Sequence, residues 1–485
     1  MDTNAIVDLV CKVQDQVWLD KIKEAYASGA LCHWVSSFHP NKLPCTAEGT
    51  FYNGSFNAGL KMVFSEGTAW MLRFPRGGII HTSYVDEKVA MEVEALTMIR
   101  EKTTIPVPII QAWGLAADNP LGLGPFIIME FLNGVSLSDV LEDPTAETPT
   151  RLIREDIDDK DIEVIYRQFV NILLQLFKLD FDQIGSLATP ADRDIAPAPR
   201  HPLTFKAQNI LHGGGVYTLG DRCQGFTTTT EYLNYLLGQD WEQLNHQPNS
   251  IAGRYDAEKK YRTLKILQSL IPNLVHPDYD RGKFKLICDD LGLANLIVRS
   301  KTDLTVVGVI DLEWSYAGPA QLSASAPWWL LQDRPVNSAW DYGEAPPKVA
   351  ERYFNYQDIF MRVLEEEEAK SPEYREKEFS KLVRWSQTSG AMWLHMLLAP
   401  GFIDHHSFPS AQLQAHFGGE WSMLMEKLQI VDSELESFTA RKVRELAIYY
   451  EELESIENDE ALINSGEMSK EEFLDRWSNR LPLSM

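Results

Sequence analysis

Cysteine is scarce in this chain, 5 in 485 residues, and no two are spaced as C-x-x-C. Cys11, Cys32, Cys45, Cys223 and Cys288 are scattered and odd in number. That argues against a disulfide framework or a thiolate zinc site and suits a reducing compartment. Basic residues are also few, 45 against 70 acidic ones, for a net charge of -25. Phosphate contacts require basic surface, so neither a nucleic acid nor an anionic membrane is expected as the main partner. No apolar run reaches the ~18 residues needed to span a bilayer. The first fifteen residues carry Asp2 and Asp8 and no basic or Arg-rich stretch, so no signal or transit peptide is expected. Internal repeats and low-complexity linkers are lacking as well. These absences point to a cytoplasmic protein with no evident protein partner.

What is present is ordinary globular material. Hydrophobic residues make up 44% and charged residues 24%. The length fits about three domains of roughly 150 residues, or one large bilobed unit. The acidic surplus suits solubility and is compatible with a cationic small-molecule ligand.

Residues 1–40 read as a short helical extension. From Phe51 to Phe74 the pattern is strand-like, with turns at Asn53-Gly54 and Glu66-Gly67. Asp86 to Lys102 reads as a helix, with Val89, Val93, Leu96 and Ile99 near one face, stopped by Pro106 and Pro108. Phe126 to Phe131 reads as a buried strand. Most of the remainder is helical, with a helix over Ile162 to Leu179 and a capping box over Thr228 to Glu231. Phe284 to Val309 is the exception: short strands flank a polar turn. Glu365 to Glu368 reads as a solvated helix face, and acidic helix continues from there to the end.

Residues 287–314 carry the chemistry. Asp290 is followed five residues later by Asn295, then by an apolar strand, and Asp311 stands at a strand end further on. This is the D-x-x-x-x-N spacing of a kinase catalytic loop. Phosphoryl transfer from ATP requires a carboxylate for the hydroxyl proton and oxygen ligands for the Mg2+ that screens the phosphates. Asp290 is the candidate base. Asn295 and Asp311 are the candidate metal ligands. Glu313 is a candidate for a second metal or a metal-bound water.

Several other signals fail. Gly54 and Gly59 have P-loop spacing, but no Gly-Lys-Ser/Thr follows. His212-Gly213-Gly214-Gly215 resembles an esterase oxyanion loop without a nucleophile elbow, and reads as a loop. His405-His406 lacks a third ligand and reads as a surface loop. Trp328 and Trp329 read as core, with an aromatic cage for a cation as the alternative. Asp311-Leu312-Glu313 is not Asp-Phe-Gly and no Ala-Pro-Glu follows, which favours a small-molecule kinase over a protein kinase.

With these residues in place, the chain resembles the aminoglycoside phosphotransferase-type, choline-kinase-like family, and within it the fungal phosphotransferase enzyme family branch. The matching stretches are Gly54-Ser55-Phe56-Asn57, Trp70 to Pro75, Ile105-Pro106-Val107-Pro108, Ile128-Met129-Glu130-Phe131, Ile184 to Leu187, Cys288-Asp289-Asp290-Leu291 and Pro327 to Leu331. They cover roughly residues 45–335. The resemblance implies an α+β, protein-kinase-like bilobal fold. A small β-rich lobe over 41–132 would bind the nucleotide. A large, mainly helical lobe over 133–485 would hold the catalytic stretch 284–314 and the acidic C-terminal helices.

The resemblance also implies an ATP- and Mg-dependent phosphotransferase acting on a hydroxyl of a small-molecule acceptor. Ser55, Phe56 and Asn57 would cover the phosphates. Arg73 would take the place of the phosphate-binding Lys, with Glu92 as its partner, and the backbone of Glu130 to Leu132 would hold adenine. Departures are Cys288 where most members have His, Arg73 for Lys, and a thin glycine turn. A kinase-fold binding or scaffold protein with impaired catalysis is the second class of function.

Overall fold

The computed structural model describes residues 3–143, 151–187, 200–325, 327–336, 340, 348–401, 404–427 and 433–481. Met1 and Asp2, part of the N-terminal charge reading, lie outside them. The chain opens with two helices, α1 (Ala5–Ala27) and α2 (Ala30–Ser36). Five strands follow: β1 (Cys45–Asn53), β2 (Asn57–Phe64), β3 (Ala69–Pro75), β4 (Ile110–Gly114) and β5 (Phe126–Glu130). Helix α3 (Val85–Lys102) sits between β3 and β4. The strands form one antiparallel sheet in the order β1-β2-β3-β5-β4.

Side-chain alternation divides this sheet into two buried faces. Leu60, Met62, Trp70, Leu72, Phe126 and Ile128 pack against Trp18, Ile22 and Trp34 of α1 and α2. Ile127 and Met129 turn the other way, onto Val89 and Val93 of α3. A strand covered on both faces reads as a continuous apolar run, which is the pattern at Phe126–Met129. Helix α1 serves two cores. Ile6, Val7 and Val10 enter the large hydrophobic core, while Trp18 and Ile22 belong to the sheet.

The remainder is mainly helical. In chain order it comprises β6 (Val135–Ser136), α4 (Ser138–Leu141), α5 (Asp159–Leu176), β7 (Asp180–Phe181), β8 (Gly185–Ser186), α6 (Phe205–Asn209), α7 (Thr229–His246) and α8 (Arg254–Leu270). Next come β9 (Phe284–Cys288), β10 (Leu296–Val298), β11 (Val306–Val309), β12 (Ser315–Gly318), α9 (Ala320–Ser323) and α10 (Lys348–Lys370). The chain closes with α11 (Glu378–Ser389), α12 (Ala391–Leu398), α13 (Phe408–Lys427), α14 (Ser433–Ser465) and α15 (Lys470–Trp477). Two small antiparallel sheets, β11-β10-β6 and β7-β9-β12-β8, carry the catalytic stretch. The capping box at Thr228 and Glu231 is formed. The architecture is α+β, bilobal and protein-kinase-like, with a cleft between the five-stranded lobe and the helical lobe.

Three sequence expectations are corrected here. Glu365 to Glu368 are not a solvated face. Glu366 and Glu367 pair with Arg167 on α5, Glu365 pairs with Arg384 on α11, and buried Glu368 accepts from the Ser380 N–H. A run of like charges is tolerated because each carboxylate meets a donor from a neighbouring helix. His212 to Gly215 is not a loop. Ile210–Gly214 forms a wide helical turn that Gly215, at φ +71, ends. A Cβ on Gly215 would lie 2.7 Å from Val7, so glycine permits α1 to approach. The His405 side chain is only 7% exposed beside Asp256, and desolvation lowers its pKa to about 4, although His406 is exposed.

Candidate active site

Strand β9 ends at Cys288, where Ser315 of the paired β12 donates to the thiol. Burial pushes the Cys288 thiol up to about 12, so the group in the usual His position is a neutral packing residue. The chain then turns through Asp289, Asp290 and Leu291 into a 3-10 turn at Leu293–Asn295. Gly292 is required here, since a Cβ would lie 2.7 Å from the Trp328 ring.

The turn folds back on itself. The Asn295 side-chain amide donates to the Asp290 carbonyl at 2.8 Å, and the Ile310 N–H donates to the Asn295 carbonyl at 3.0 Å. The second contact ties the end of the β10–β11 hairpin to the first loop. Asp311 follows at φ +62, a conformation few non-glycine residues adopt. Asp290, Asn295 and Asp311, 21 positions apart at their extremes by sequence numbers 290 and 311, thus line one cleft of about 1260 Å³. A single small-molecule site usually occupies ~300–1,000 Å³, so this cleft has room for a nucleotide and a second ligand.

Arg73, on β3, reaches into this cleft. One end of its guanidinium is 2.5 Å from Glu92 on α3, the pair expected from the sequence. The other end binds Asp311, and Glu313 lies 3.6 Å away. Burial works against the Arg73 charge, but Asp311, Glu92 and Glu313 outweigh it and raise its pKa. Burial pushes Glu92 up, while Arg73 and Lys88 pull it down.

The other expected residues fall into two groups. Glu313 is only 2% exposed, and its carboxylate is occupied by the Lys88 ammonium and by the Asn57 amide at 2.7 Å. It therefore sits behind Asp311 and is held by the protein. Asn57 also accepts from Lys88 at 3.2 Å, and Phe56 packs its ring on Trp314. Both side chains point inward, whereas Ser55 is exposed in the turn. The Glu130 N–H donates to the Ile109 carbonyl, and the Phe131 N–H to Ala69. Leu132 lines the cleft, and among the described residues its N–H and carbonyl have no hydrogen-bond partner.

Sequence reasoning missed two cations. Lys88 is fully buried on α3, one turn before Glu92. The Lys88-x-x-x-Glu92 spacing, which puts both residues on one helical face, was the available signal. Arg334 gave no signal. It lies beyond Trp328 and Trp329, and its Nη2 donates to the Asp289 carbonyl at 2.9 Å and to Asp290 Oδ1 at 3.0 Å. The guanidinium lies over Trp328 at 3.9 Å and Phe205 at 4.6 Å. The tryptophan pair is therefore split. Trp329 is core, against Tyr166, Phe169 and Phe360, and Trp328 faces the cleft.

Asp290 and Asp289 have distinct surroundings. Burial raises Asp290 to about 6, opposed by Arg334 and reinforced by Asp311. Asp289 points away from the cleft wall, accepting from the Tyr316 hydroxyl at 3.0 Å and from the Phe205 N–H at 3.2 Å. Burial raises it to about 7.

No family model matches the chain. A curated relative, the clavilactone A biosynthesis cluster protein Y of Ampulloclitocybe clavipes, is 28% identical over 258 residues, 51% of this chain and 54% of that protein. The match thus spans about half the length of the curated relative. Solved structures that align along most of the chain are small-molecule phosphotransferases. One is a macrolide 2′-phosphotransferase of Brachybacterium faecium, 13% identical, covering 84% of this chain and 99% of that one, with a TM-score of 0.36. Another is an amicoumacin kinase with AMP-PNP and Ca2+, 10% identical, covering 88% and 95%, with a TM-score of 0.40. Among the described residues no helix is long and apolar enough to cross a membrane.

Proposed function

We propose that this chain transfers the γ-phosphoryl group of ATP to a hydroxyl of a small-molecule acceptor. The observation that carries this reading is the convergence of Asp290, Asn295 and Asp311 on one cleft, beside the Arg73–Glu92 pair. A carboxylate poised for a hydroxyl proton, oxygen ligands and a buried cation are the parts that phosphoryl transfer needs.

The donor set suits magnesium. The Asn295 Nδ2 is used on Asp290, which leaves its amide oxygen open, and the Asp311 side chain is 33% exposed. An amide oxygen and a carboxylate are hard ligands, and magnesium is usually held by one or two such groups plus substrate phosphates. Asn295 and Asp311 would hold the ion, which would screen the phosphate charge. Arg73 contributes positive charge at the same wall, and Leu132 offers its free backbone groups to the adenine edge.

Asp290 accepts the proton of the acceptor hydroxyl. The hydroxyl oxygen forms the new bond to phosphorus, the bond to the bridging oxygen breaks, and ADP leaves with that electron pair. Glu313, held by Lys88 and Asn57, supports the strand end that carries Asp311.

One observation favours a second reading, a nucleotide-binding scaffold without turnover. Arg73 occupies Asp311 and Arg334 occupies Asp290, so both key carboxylates are paired with protein cations. Two measurements decide between the readings: nucleotide binding with and without Mg2+, then ATP consumption against a panel of hydroxyl compounds. Turnover that falls by about 10²–10⁴ in Asp290→Asn supports the kinase. Binding of Mg-ATP without consumption by any acceptor supports the scaffold.

A further inference from the structure

Asp15 is a carboxylate on α1, only 3% exposed, at the place where that helix leaves the large core for the core of the five-stranded sheet. A buried carboxylate has to be paired. Its partner is Arg76, just past the end of β3, whose Nη2 and Nε donate to Asp15 Oδ2 and Oδ1 at 2.5 and 3.1 Å. These two nitrogens form one edge of the guanidinium, so the contact is of the strong, two-pronged kind. The backbone allows it to form. Gly77 and Gly78 follow Arg76, and a Cβ on them would come within 2.5 Å of Trp18 and 2.6 Å of Gln14 on α1.

The rest of Arg76 holds the turn Gly54-Ser55-Phe56-Asn57. Its Nη1 donates to the Gly54 carbonyl at 3.0 Å, and its backbone N–H donates to the Phe56 carbonyl at 2.9 Å. The Gly54 N–H closes the turn on the Asn57 carbonyl at 2.9 Å. A trans peptide directs its N–H opposite to its C=O, so a Gly54 carbonyl held toward Arg76 turns the Ser55 N–H away from it. Among the described residues that N–H has no partner. Gly54 and Ser55 line the cleft, and neither Asp15 nor Arg76 does.

We infer that Asp15 and Arg76 are positioning residues for the nucleotide. Helix α1 fixes Asp15, Asp15 orients Arg76, and Arg76 sets the Gly54–Ser55 peptide so that the Ser55 N–H is offered to a phosphate oxygen. A donor set in advance needs no reordering when the anion arrives. This rests on the reading of the turn as the cover of the nucleotide phosphates.

The test is equilibrium binding to the full chain with Mg2+, using AMP-PNP, ADP and adenosine as probes. Asp15→Asn keeps the size of the side chain and removes its charge. It is expected to weaken AMP-PNP and ADP about tenfold, and adenosine not at all, because adenosine has no phosphate to meet the turn. Arg76→Gln should cost the same. The double variant Asp15→Asn/Arg76→Gln should also lose about tenfold rather than about a hundredfold, since the two residues act through one contact. It leaves neither charge unpaired, and so carries the test if a single variant does not fold. In turnover with ATP the variants should raise KM for ATP and leave KM for the acceptor unchanged.

Unchanged AMP-PNP affinity in Asp15→Asn and Arg76→Gln overturns the proposal. Equal losses for adenosine and AMP-PNP also overturn it, because α1 would then support the lobe as a whole. So does a double variant in which the two single losses add. Variants that behave as expected in a protein that consumes no ATP with any acceptor leave this assignment standing and remove the phosphotransfer reading instead. A wild type that binds neither AMP-PNP nor ADP overturns both.

Discussion

The Lys88 ammonium and the Glu313 carboxylate form a fully buried ion pair, closed on one side by Asn57 and on the other by the Trp314 ring. The pair joins α3 of the strand-rich lobe to the segment that follows Asp311 in the helical lobe. It couples the two walls of the cleft through a bond that desolvation makes costly to leave half-made.

Lys88→Met should therefore destabilise the protein by about 3–5 kcal/mol, since it leaves the buried Glu313 carboxylate without its contact ion, with only the Asn57 amide and the Arg73 guanidinium 3.6 Å away. Lys88→Met combined with Glu313→Leu should recover most of that loss, because replacing both partners by apolar groups removes the uncompensated charge. Urea unfolding of the single and double variants measures this. A double variant no more stable than Lys88→Met would show that Lys88 acts through other contacts.

Arg73 spans Glu92 and Asp311 with its two terminal nitrogens, so a shorter or single-headed cation cannot replace it. Arg73→Ala is expected to lower kcat/KM for ATP by about 10²–10³, the usual cost of removing one preorganised charge from a transferring group. Binding of the acceptor should change little. Wild-type ATP affinity and turnover in Arg73→Ala would remove this residue from the site.

The pH profile follows from Asp290. Its pKa is raised to about 6 by burial, with Arg334 pulling it down and Asp311 and Glu313 pushing it up. A general base works only as the carboxylate, so kcat/KM should rise with pH through about 6 and level off above. In Arg334→Gln the lowering influence is gone, and the break should move to higher pH. A profile flat across pH 5–8 in the wild type would mean that Asp290 does not take the proton.

Asp289 is expected to matter for stability more than its position beside the base suggests. It accepts from both the Tyr316 hydroxyl and the Phe205 N–H. Asn offers one acceptor oxygen, so Asp289→Asn should lose one of these bonds, about 1–3 kcal/mol. It should also alter the pH dependence. The folded-state pKa of Asp289 is raised to about 7, above its usual value, so the native state holds its proton more tightly than the unfolded chain. Its contribution to stability is thus complete at acid pH and is lost as pH rises through about 7. The variant should show a flatter decline between pH 4 and 7 in thermal or urea unfolding.

Local chemistry made much of this protein legible before its structure. The period-two alternation of β2 and β3, the helical spacing of Val89 and Val93, and the reciprocal cap at Thr228 and Glu231 each depend on residues near in sequence. The D-x-x-x-x-N loop was visible for the same reason, since Asp290 and Asn295 are joined by a turn that their own hydrogen bond closes. The tertiary structure alone decided which charges meet. Arg73 reaches Asp311 across 238 positions, Asn57 reaches Glu313 across 256, and Arg334 reaches Asp290 across 44. No local period encodes such distances. They are set when the sheet, the helical lobe and the segment after β12 pack together. Burial then turns ordinary surface residue types into partners that must be paired. That is why Glu313 and Glu367 read as solvent-facing or metal-facing carboxylates in one dimension and are held by lysine and arginine in three.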